Sequence, residues 1–285
     1  MMNDPQFEIT LTAKADEMYD KNRPGFVHAH REPHPRPGWV RLAFPSGLIC
    51  TTNSSPIESE LAYNEVFETK DYLSSQIRIH DNDTILDIGA NIGMFSMYLL
   101  RNYTKPIIHA VEPVPDTFEV LQENTSQFPR EQVHLHNIAI GSGAHSSVQI
   151  VAFPHMTGNS TSYPQTKEAQ RRILATVFTE KELAYVYTEK RITVPCTTLS
   201  TLIEVNHIHA VDLLKIDTEG AEMDILKGVK ARHWPMIRQV AMEVHNEAVT
   251  LPTITAILTS HGLHPSVHET TRDPFGTVVI SAKRQ

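Results

Sequence analysis

The chain has 285 residues, of which 40% are hydrophobic and 20% are charged, a composition typical of a globular protein with a buried core. It carries 33 acidic and 25 basic residues, for a formal charge of −8, whereas nucleic-acid-binding proteins usually show a basic excess. We therefore expect one core with an N-terminal appendage, and a substrate other than nucleic acid.

Cysteines and targeting signals point to a cytoplasmic protein. Cys50 and Cys196 lie far apart and outside any metal-binding spacing, which indicates neither a disulfide framework nor a zinc site. The N-terminus lacks the basic and apolar regions of a signal peptide, and no apolar run approaches the roughly 18 residues of a membrane span. We expect no membrane segment.

Residues 1–82 are expected to form an arm, a hairpin and capping helices. Residues 23–47 are rich in Pro, His, Arg and Gly, which favours an extended loop. Two apolar stretches around a Pro-Ser-Gly turn predict a β-hairpin over 39–52. Apolar residues at near-helical spacing then predict one or two helices over 57–77.

Three histidines of the arm, His28, His30 and His34, have a spacing that could bind a transition metal. A solvated Pro-rich loop explains the same residues, and it is the interpretation we favour. We expect no metal site in this chain.

Residues 83–285 alternate apolar strands with amphipathic helices and form the main predicted domain. Repeated βαβ units predict an α/β fold with a doubly wound, mostly parallel, Rossmann-like sheet. A late antiparallel edge strand is expected over 276–282. The predicted strands are 84–88, 107–111, 133–140, 211–216, 239–244 and 277–281, and the predicted helices are 94–101, 115–127, 221–227 and 252–260.

One segment, residues 155–190, interrupts this alternation between two strand-like stretches. Its later half is polar with helical periodicity, which predicts a helical insertion that serves as a lid or a partner-binding surface. Arg171 and Arg172 could face an acidic substrate or carrier, although adjacent arginines on a polar helix are more often solvated.

The first predicted strand of this domain ends in Asp87-Ile88-Gly89-Ala90-Asn91-Ile92-Gly93, directly before a helix. Glycine accepts left-handed conformations and has no side chain, so such a turn allows close contact between backbone and ligand. The same Gly spacing also occurs where a strand simply packs against the following helix, and the turn alone does not separate the two.

Glu112 ends the second strand, about twenty residues after the Gly turn, where nucleotide-binding α/β folds place an acid that accepts hydrogen bonds from ribose hydroxyls. The Gly turn and Glu112 by themselves fit either NAD or S-adenosylmethionine as the ligand. The pyrophosphate-binding GxGxxG is missing, however, and Asp87 would repel a pyrophosphate while suiting a ligand with an ammonium group.

Two further motifs follow, Asn137-Ile138-Ala139-Ile140-Gly141 and Leu213-Leu214-Lys215-Ile216-Asp217-Thr218-Glu219-Gly220-Ala221-Glu222. With the Gly turn and Glu112-Pro113-Val114-Pro115 they resemble, in this order, the FkbM family of S-adenosylmethionine-dependent methyltransferases. The similarity spans about residues 83–282. It implies the cofactor S-adenosyl-L-methionine, whose methionine part would lie at the Gly turn, the ribose at Glu112 and the adenine near the third strand. The implied cofactor-binding residues are Asp87, Gly89, Asn91, Gly93, Glu112, Asn137 and Ala139.

Three carboxylates follow the fourth strand, Asp217, Glu219 and Glu222. In a parallel sheet this strand end faces the same crevice as the Gly turn. We expect Asp217 and Glu219 to contact the cofactor's ammonium group, with Asp217 also a candidate for orienting a nucleophile or accepting its proton. For Glu222 we favour a structural role at the N-terminus of the next helix.

Glu243 and His245, at the end of the fifth strand, are two residues apart and therefore share a face. We expect both to be catalytic. A histidine with a near-neutral pKa could deprotonate a hydroxyl as its oxygen attacks the methyl group, although most histidines are structural or solvent-exposed and the chain has 16.

We therefore expect O-methylation of a small-molecule or natural-product hydroxyl, with the acceptor either free, within a peptide or bound to a carrier. The alternatives are methylation of a carboxylate or nitrogen, a non-catalytic module that binds S-adenosylmethionine, and a nicotinamide-dependent oxidoreductase. The sequence leaves homo-oligomer formation open.

Overall fold

The fold is given by a computed structural model, which describes residue 14 and residues 25–74, 76–245, 247–269 and 277–284. Most of the first part of the predicted arm, and Gly276 of the predicted last strand, lie outside these residues.

The described residues before the main sheet include three antiparallel strands in the order β1-β2-β3. They are β1 (His30–Pro33), β2 (Val40–Ala43) and β3 (Ile49–Thr52). The predicted hairpin is confirmed as β2 and β3. The expected extended loop before it was wrong over β1, which pairs with β2 along its whole length. Pro33 is tolerated because it ends this edge strand, where a missing N–H costs little.

The helices predicted over 57–77 are present only as far as Thr69, as α1 (Pro56–Tyr63), which continues directly into a π-helix (Asn64–Thr69). Tyr63 stacks on Phe44 and on Phe67, with ring centroids 3.9 and 4.6 Å apart. The side chain of Asn64 accepts a hydrogen bond from the Val27 N–H and donates one to the Val27 carbonyl. These contacts join the separate segments of the N-terminal region to one another.

The remaining elements lie within the predicted main domain. The strands are β4 (Thr84–Ile88), β5 (Ile107–Val111), β6 (Val133–His136), β7 (Ala139–Ile140), β8 (Ser147–Ala152), β9 (Lys190–Thr197), β10 (Leu213–Ile216), β11 (Gln239–Val244), β12 (Leu263–Glu269) and β13 (Val278–Arg284). The helices are α2 (Met94–Asn102), α3 (Pro115–Thr125), α4 (Lys167–Leu174), α5 (Glu180–Val186), α6 (Leu199–Val205), α7 (Glu222–Lys227) and α8 (Glu247–Ser260). Within the described part of the chain, no helix is both long and apolar enough to cross a membrane.

The central sheet has seven strands in the order β12-β13-β11-β10-β4-β5-β6. The five strands from β11 to β6 are parallel, which confirms the doubly wound, mostly parallel sheet. The late antiparallel strand is present, but the prediction that it forms the edge was wrong, since β13 lies between β11 and β12. The edge strand β12 was missed because Pro265 and two histidines interrupt its apolar pattern.

The single strand predicted over 133–140 is two strands in different sheets. β6 closes the central sheet, whereas β7 belongs to a small sheet of order β7-β9-β8. The break lies at Asn137, whose side-chain amide donates to the carbonyls of Glu112 and Pro113 and turns the chain away from β5. The predicted helical insertion, with α4 and α5, is confirmed, and it connects the antiparallel strands β8 and β9.

Both faces of the central sheet are buried. Successive strand residues point to opposite faces, so Leu86 and Leu214 pack in one core while Ile85 and Leu213 pack in the other. None of these four side chains is exposed to solvent. A shift of one residue in register would move the side chains of a strand from one core to the other. Burial therefore fixes the register of the strands, and with it the position of their ends. The ends of β4, β5, β10 and β11 consequently meet at one edge.

Candidate active site

The carboxyl ends of the parallel strands open onto a cavity of about 1700 Å³. Its wall includes one predicted site residue from the end of each of four strands, namely Gly89, Glu112, Asp217 and Glu243. Residues of β7, the π-helix and the insertion complete the wall. This is the position where open α/β sheets bind ligands.

Gly89 brings the loops after β4 and β10 into contact. Its φ is +78°, and a Cβ at this position would lie 1.7 Å from the carbonyl oxygen of Asp217. Any side chain would therefore force the two loops apart. Gly93 has a different role, because a Cβ there would lie 2.6 Å from Leu121 of α3, on the packing side of the turn. Only the first glycine of the pair lines the cavity.

Lys215, which the sequence analysis missed, is a buried cation beneath the Gly89 loop. Its Nζ donates to the Gly89 carbonyl at 2.9 Å and lies 3.2 Å from Asp87 Oδ1 and 3.5 Å from Asp217 Oδ2. Burial opposes the charge, but Asp87 and Asp217 outweigh it and raise the pKa of Lys215 above its usual value. A lysine within the apolar run of a fully buried strand was the available signal.

Asp87, an expected cofactor-binding residue, does not line the cavity. Its side chain is completely buried, and its second carboxylate oxygen accepts a hydrogen bond from Ser96 at 2.7 Å. The charge of Asp87 is therefore balanced by Lys215 rather than exposed to the cavity.

Glu112 lines the cavity while each of its oxygens accepts one backbone N–H. Oε2 accepts from Asn91 at 3.0 Å and Oε1 accepts from Val114 at 2.8 Å. Burial raises the pKa of Glu112 to about 7, against the lowering effect of these two bonds. Ala139 also lines the cavity, whereas the side chain of Asn137 is occupied with backbone carbonyls outside it.

Tyr72, a second residue that the sequence analysis missed, joins Asp217 and Glu243. Its hydroxyl oxygen lies 2.9 Å from Asp217 Oδ2 and 3.0 Å from Glu243 Oε2. One hydroxyl proton cannot serve two carboxylates, so the arrangement favours a second proton on one of them. In agreement, burial and the nearby charge of Asp217 raise the pKa of Glu243 to about 8.

His245 lies among three carboxylates. Nε2 is 2.9 Å from Glu219 Oε2 and 3.7 Å from Glu243 Oε1, while Nδ1 is 3.1 Å from Glu222 Oε1. Burial disfavours the imidazolium, but these carboxylates, Glu219 above all, raise the pKa of His245 well above its usual value. This is not the near-neutral pKa we expected, because both ring nitrogens donate to carboxylates. Glu222 also accepts a hydrogen bond from the Gly220 N–H, which fixes its position.

The insertion reaches this cluster through Lys167, the first residue of α4. Lys167 is 7% exposed and forms an ion pair with Glu219 Oε2. Near the start of the insertion, the backbone N–H groups of Thr157 and Gly158 donate to Glu58 of α1. Both contacts hold the insertion over the cavity. Burial would raise the pKa of Glu219, but His245 and Lys167 lower it to about 2.

Comparison with known proteins identifies the family. The family model described as "Methyltransferase FkbM domain" matches residues 87–264. The chain belongs to the FkbM methyltransferase family. The predicted family is thus confirmed, and nothing in the match supports the nicotinamide-dependent alternative.

Three relatives of this FkbM methyltransferase have names that bear on the reaction. It is 33% identical to Methyltransferase 1 of Beauveria bassiana over 75% of this chain and 84% of that protein. It is 31% identical to Methyltransferase sdnD of Sordaria araneosa over 81% of this chain and 92% of that protein. It is 30% identical to the 31-O-demethyl-FK506 methyltransferase FkbM of Streptomyces tacrolimicus over 78% of this chain and 87% of that protein.

The site geometry predicts that His245 of this methyltransferase is charged at neutral pH. We expect its imidazole resonances, followed by NMR in histidine-labelled protein and assigned with His245→Asn, to titrate with a midpoint well above 6.5. Replacing the nearest carboxylate, in Glu219→Gln, should lower that midpoint, because the imidazolium loses its closest negative charge. A midpoint near 6.5 in the native protein would show that the carboxylates do not hold the proton.

Proposed function

We propose that this protein transfers the methyl group of S-adenosylmethionine to a hydroxyl oxygen. The observation that carries the proposal is the meeting of two groups of residues at one cavity. The Gly89 loop and Glu112 form one side, and Asp217, Glu243 and His245 form the other. The first group suits a nucleoside ligand, and the second suits proton removal beside a positively charged reaction centre.

The residues around the cavity fit S-adenosylmethionine. Each Glu112 oxygen accepts a single backbone N–H, so each keeps an acceptor position for a ribose hydroxyl. Ile138 and Ala139 offer an apolar surface to an adenine ring. Thr218 Oγ1 is buried and has no hydrogen-bond partner among the described residues, and Thr218 lines the same cavity. An unsatisfied buried hydroxyl at this place supports a polar ligand group beside it.

When bound, the cofactor supplies an electrophilic methyl group on a positively charged sulfonium. The chain must align the acceptor, exclude water and remove the acceptor's proton. Glu243 is the best-placed proton acceptor, since its pKa of about 8 leaves part of the population ionised near neutral pH. The hydroxyl proton would pass to a Glu243 oxygen as the acceptor oxygen forms its bond to the methyl carbon, and the bond between that carbon and the sulfonium sulfur would break, with a neutral thioether as the leaving group.

His245 has a supporting part in this proposal. Its charged Nε2 lies 3.7 Å from Glu243 Oε1, so it stabilises the ionised form of Glu243 that accepts a proton. Asp217, held by Tyr72 and Lys215, places another negative charge on the cavity wall, where it suits the ammonium group of the cofactor.

The shape and charge of the cavity also favour a class of acceptor. Its volume of about 1700 Å³ exceeds the roughly 300–1,000 Å³ of ordinary ligand pockets, which leaves room for a cofactor and a bulky acceptor together. Ionised carboxylate acceptors are disfavoured, because acidic residues, Asp217 among them, outnumber basic ones on the cavity wall. The relative named for 31-O-demethyl-FK506 supports a natural-product hydroxyl as the acceptor.

Cofactor binding is predicted to depend on Glu112. At a pH above its pKa of about 7, where Glu112 is ionised, Glu112→Gln should weaken S-adenosylmethionine binding by about 1.5–3 kcal/mol, the usual range for hydrogen bonds to a charged acceptor. Isothermal titration calorimetry measures the effect, with Glu131→Gln, an exposed residue away from the cavity, as the matched control. Equal affinities for the folded Glu112 variant and the control would remove Glu112 from the cofactor site.

Turnover is predicted to depend on Glu243 as the base. With methyl-labelled S-adenosylmethionine and a polyhydroxylated acceptor, kcat should rise with pH through the pKa of Glu243. The midpoint should lie below the ligand-free value of about 8, because the sulfonium charge favours ionisation. Glu243→Gln cannot accept the proton, so kcat should fall by about 10²-fold or more and lose this pH dependence. A variant with near-native kcat and an unchanged profile would show that Glu243 is not the base.

A further inference from the structure

Lys167 is one of two buried charged residues in the insertion, the other being Glu182. Lysine is rarely buried without a partner, yet its ammonium group is buried against the catalytic cluster. It donates a hydrogen bond to Asn159 Oδ1 at 3.3 Å and pairs with Glu219. The backbone of the insertion thereby places a positive charge inside a site built mainly from the strand ends of the central sheet.

Lys167 and His245 use the same atom of Glu219. Nζ of Lys167 and Nε2 of His245 both contact Oε2, with the His245 distance at 2.9 Å. Two cations on one carboxylate oxygen compete for its negative charge. Each cation therefore weakens the attraction that Glu219 exerts on the other.

The other charges around His245 make this competition matter. Glu219 and Glu222 face it from the loop after β10 and the start of α7, and Glu243 faces it from β11. Behind Glu243 lie Asp217, Tyr72 and Lys215, which are linked to one another by the contacts described above. Among the described residues Lys167 is the only cation besides His245 that contacts Glu219.

We propose that Lys167 is a positioning residue of the insertion, which partly neutralises Glu219 and so weakens the hold of the carboxylate cluster on the protons of His245 and Glu243. Through Lys167, the insertion thereby sets the pH above which Glu243, the proposed base, is ionised and can accept a proton. This inference rests on the proposed function for its effect on turnover, but its effect on His245 is independent of any reaction.

Removing the charge of Lys167 should shift the protonation of His245 and Glu243 in a defined direction. Without Lys167 the cluster is more negative, so both His245 and Glu243 retain their protons to higher pH. The limb of the rate profile that rises with pH should move to higher pH in Lys167→Met. A merely structural loss of the insertion would instead lower kcat without moving the midpoint.

The experiment compares Lys167→Met with three other proteins: the native chain, Lys167→Arg, and Lys190→Met. Lys167→Arg keeps the charge, and Lys190→Met removes a charge from an exposed ion pair with Asp116 at the end of the insertion. Circular dichroism checks folding, and Lys167→Gln, which keeps a hydrogen-bond donor, replaces the Met variant if that variant does not fold. The first measurement is the NMR titration of His245 without ligand, and the second is the pH profile of kcat.

We expect the His245 midpoint to rise by about half a pH unit or more in Lys167→Met and to stay near the native value in Lys167→Arg and Lys190→Met. The rate profile of Lys167→Met should move in the same direction. An unchanged or lowered His245 midpoint in the neutral Lys167 variants, or an equal rise in Lys190→Met, would overturn the inference. A raised midpoint in a protein that transfers no methyl group to any acceptor would sustain it and contradict the proposed function.

Discussion

The ion pair between Lys215 and Asp87 is the constraint on which the rest of the site depends. Both side chains are almost completely buried, on neighbouring parallel strands that are held in register by the two apolar cores. A buried charge without a partner is very costly, so the two residues must meet. Because Lys215 also donates to the Gly89 carbonyl, this pairing fixes the glycine loop against the end of β10, where a side chain at residue 89 has no room.

From Lys215 the charges continue across the cavity wall with nearly alternating sign. Asp217 contacts Lys215, Tyr72 links Asp217 to Glu243, and His245 lies between Glu243 and Glu219, which in turn pairs with Lys167. The network contains more carboxylates than cations. Such an excess of negative charge suits a reaction centre that carries a sulfonium and an ammonium group. Burial, with the nearby charge of Asp217, raises the pKa of Glu243.

Local sequence patterns predicted the parts of this architecture that depend on neighbouring residues. The parallel strands, the Gly89 turn and Glu112 each follow from a short apolar run and the residue after it. Lys215 could have been recognised as a charge in a buried strand. Tyr72 and Lys167 could not, because each contacts a partner that is distant in the sequence. Tyr72 lies 145 residues from Asp217, and Lys167 lies 52 residues from Glu219. The division of 133–140 at Asn137 depends on hydrogen bonds to another strand end, which no local pattern contains.

The most direct test of this central role is the affinity for S-adenosylmethionine when the charge of Lys215 is removed. Calorimetry would compare the native protein with Lys215→Met and with the double variant Asp87→Asn/Lys215→Met. We predict that Lys215→Met loses about 3–5 kcal/mol of stability, since Asp87 becomes an unpaired buried charge. The double variant should regain most of that stability, yet both variants should bind the cofactor at least about tenfold more weakly, a loss of about 1.4 kcal/mol, because the Gly89 loop has lost its anchor. Native affinity in either folded variant would contradict the claim that Lys215 holds the cofactor loop.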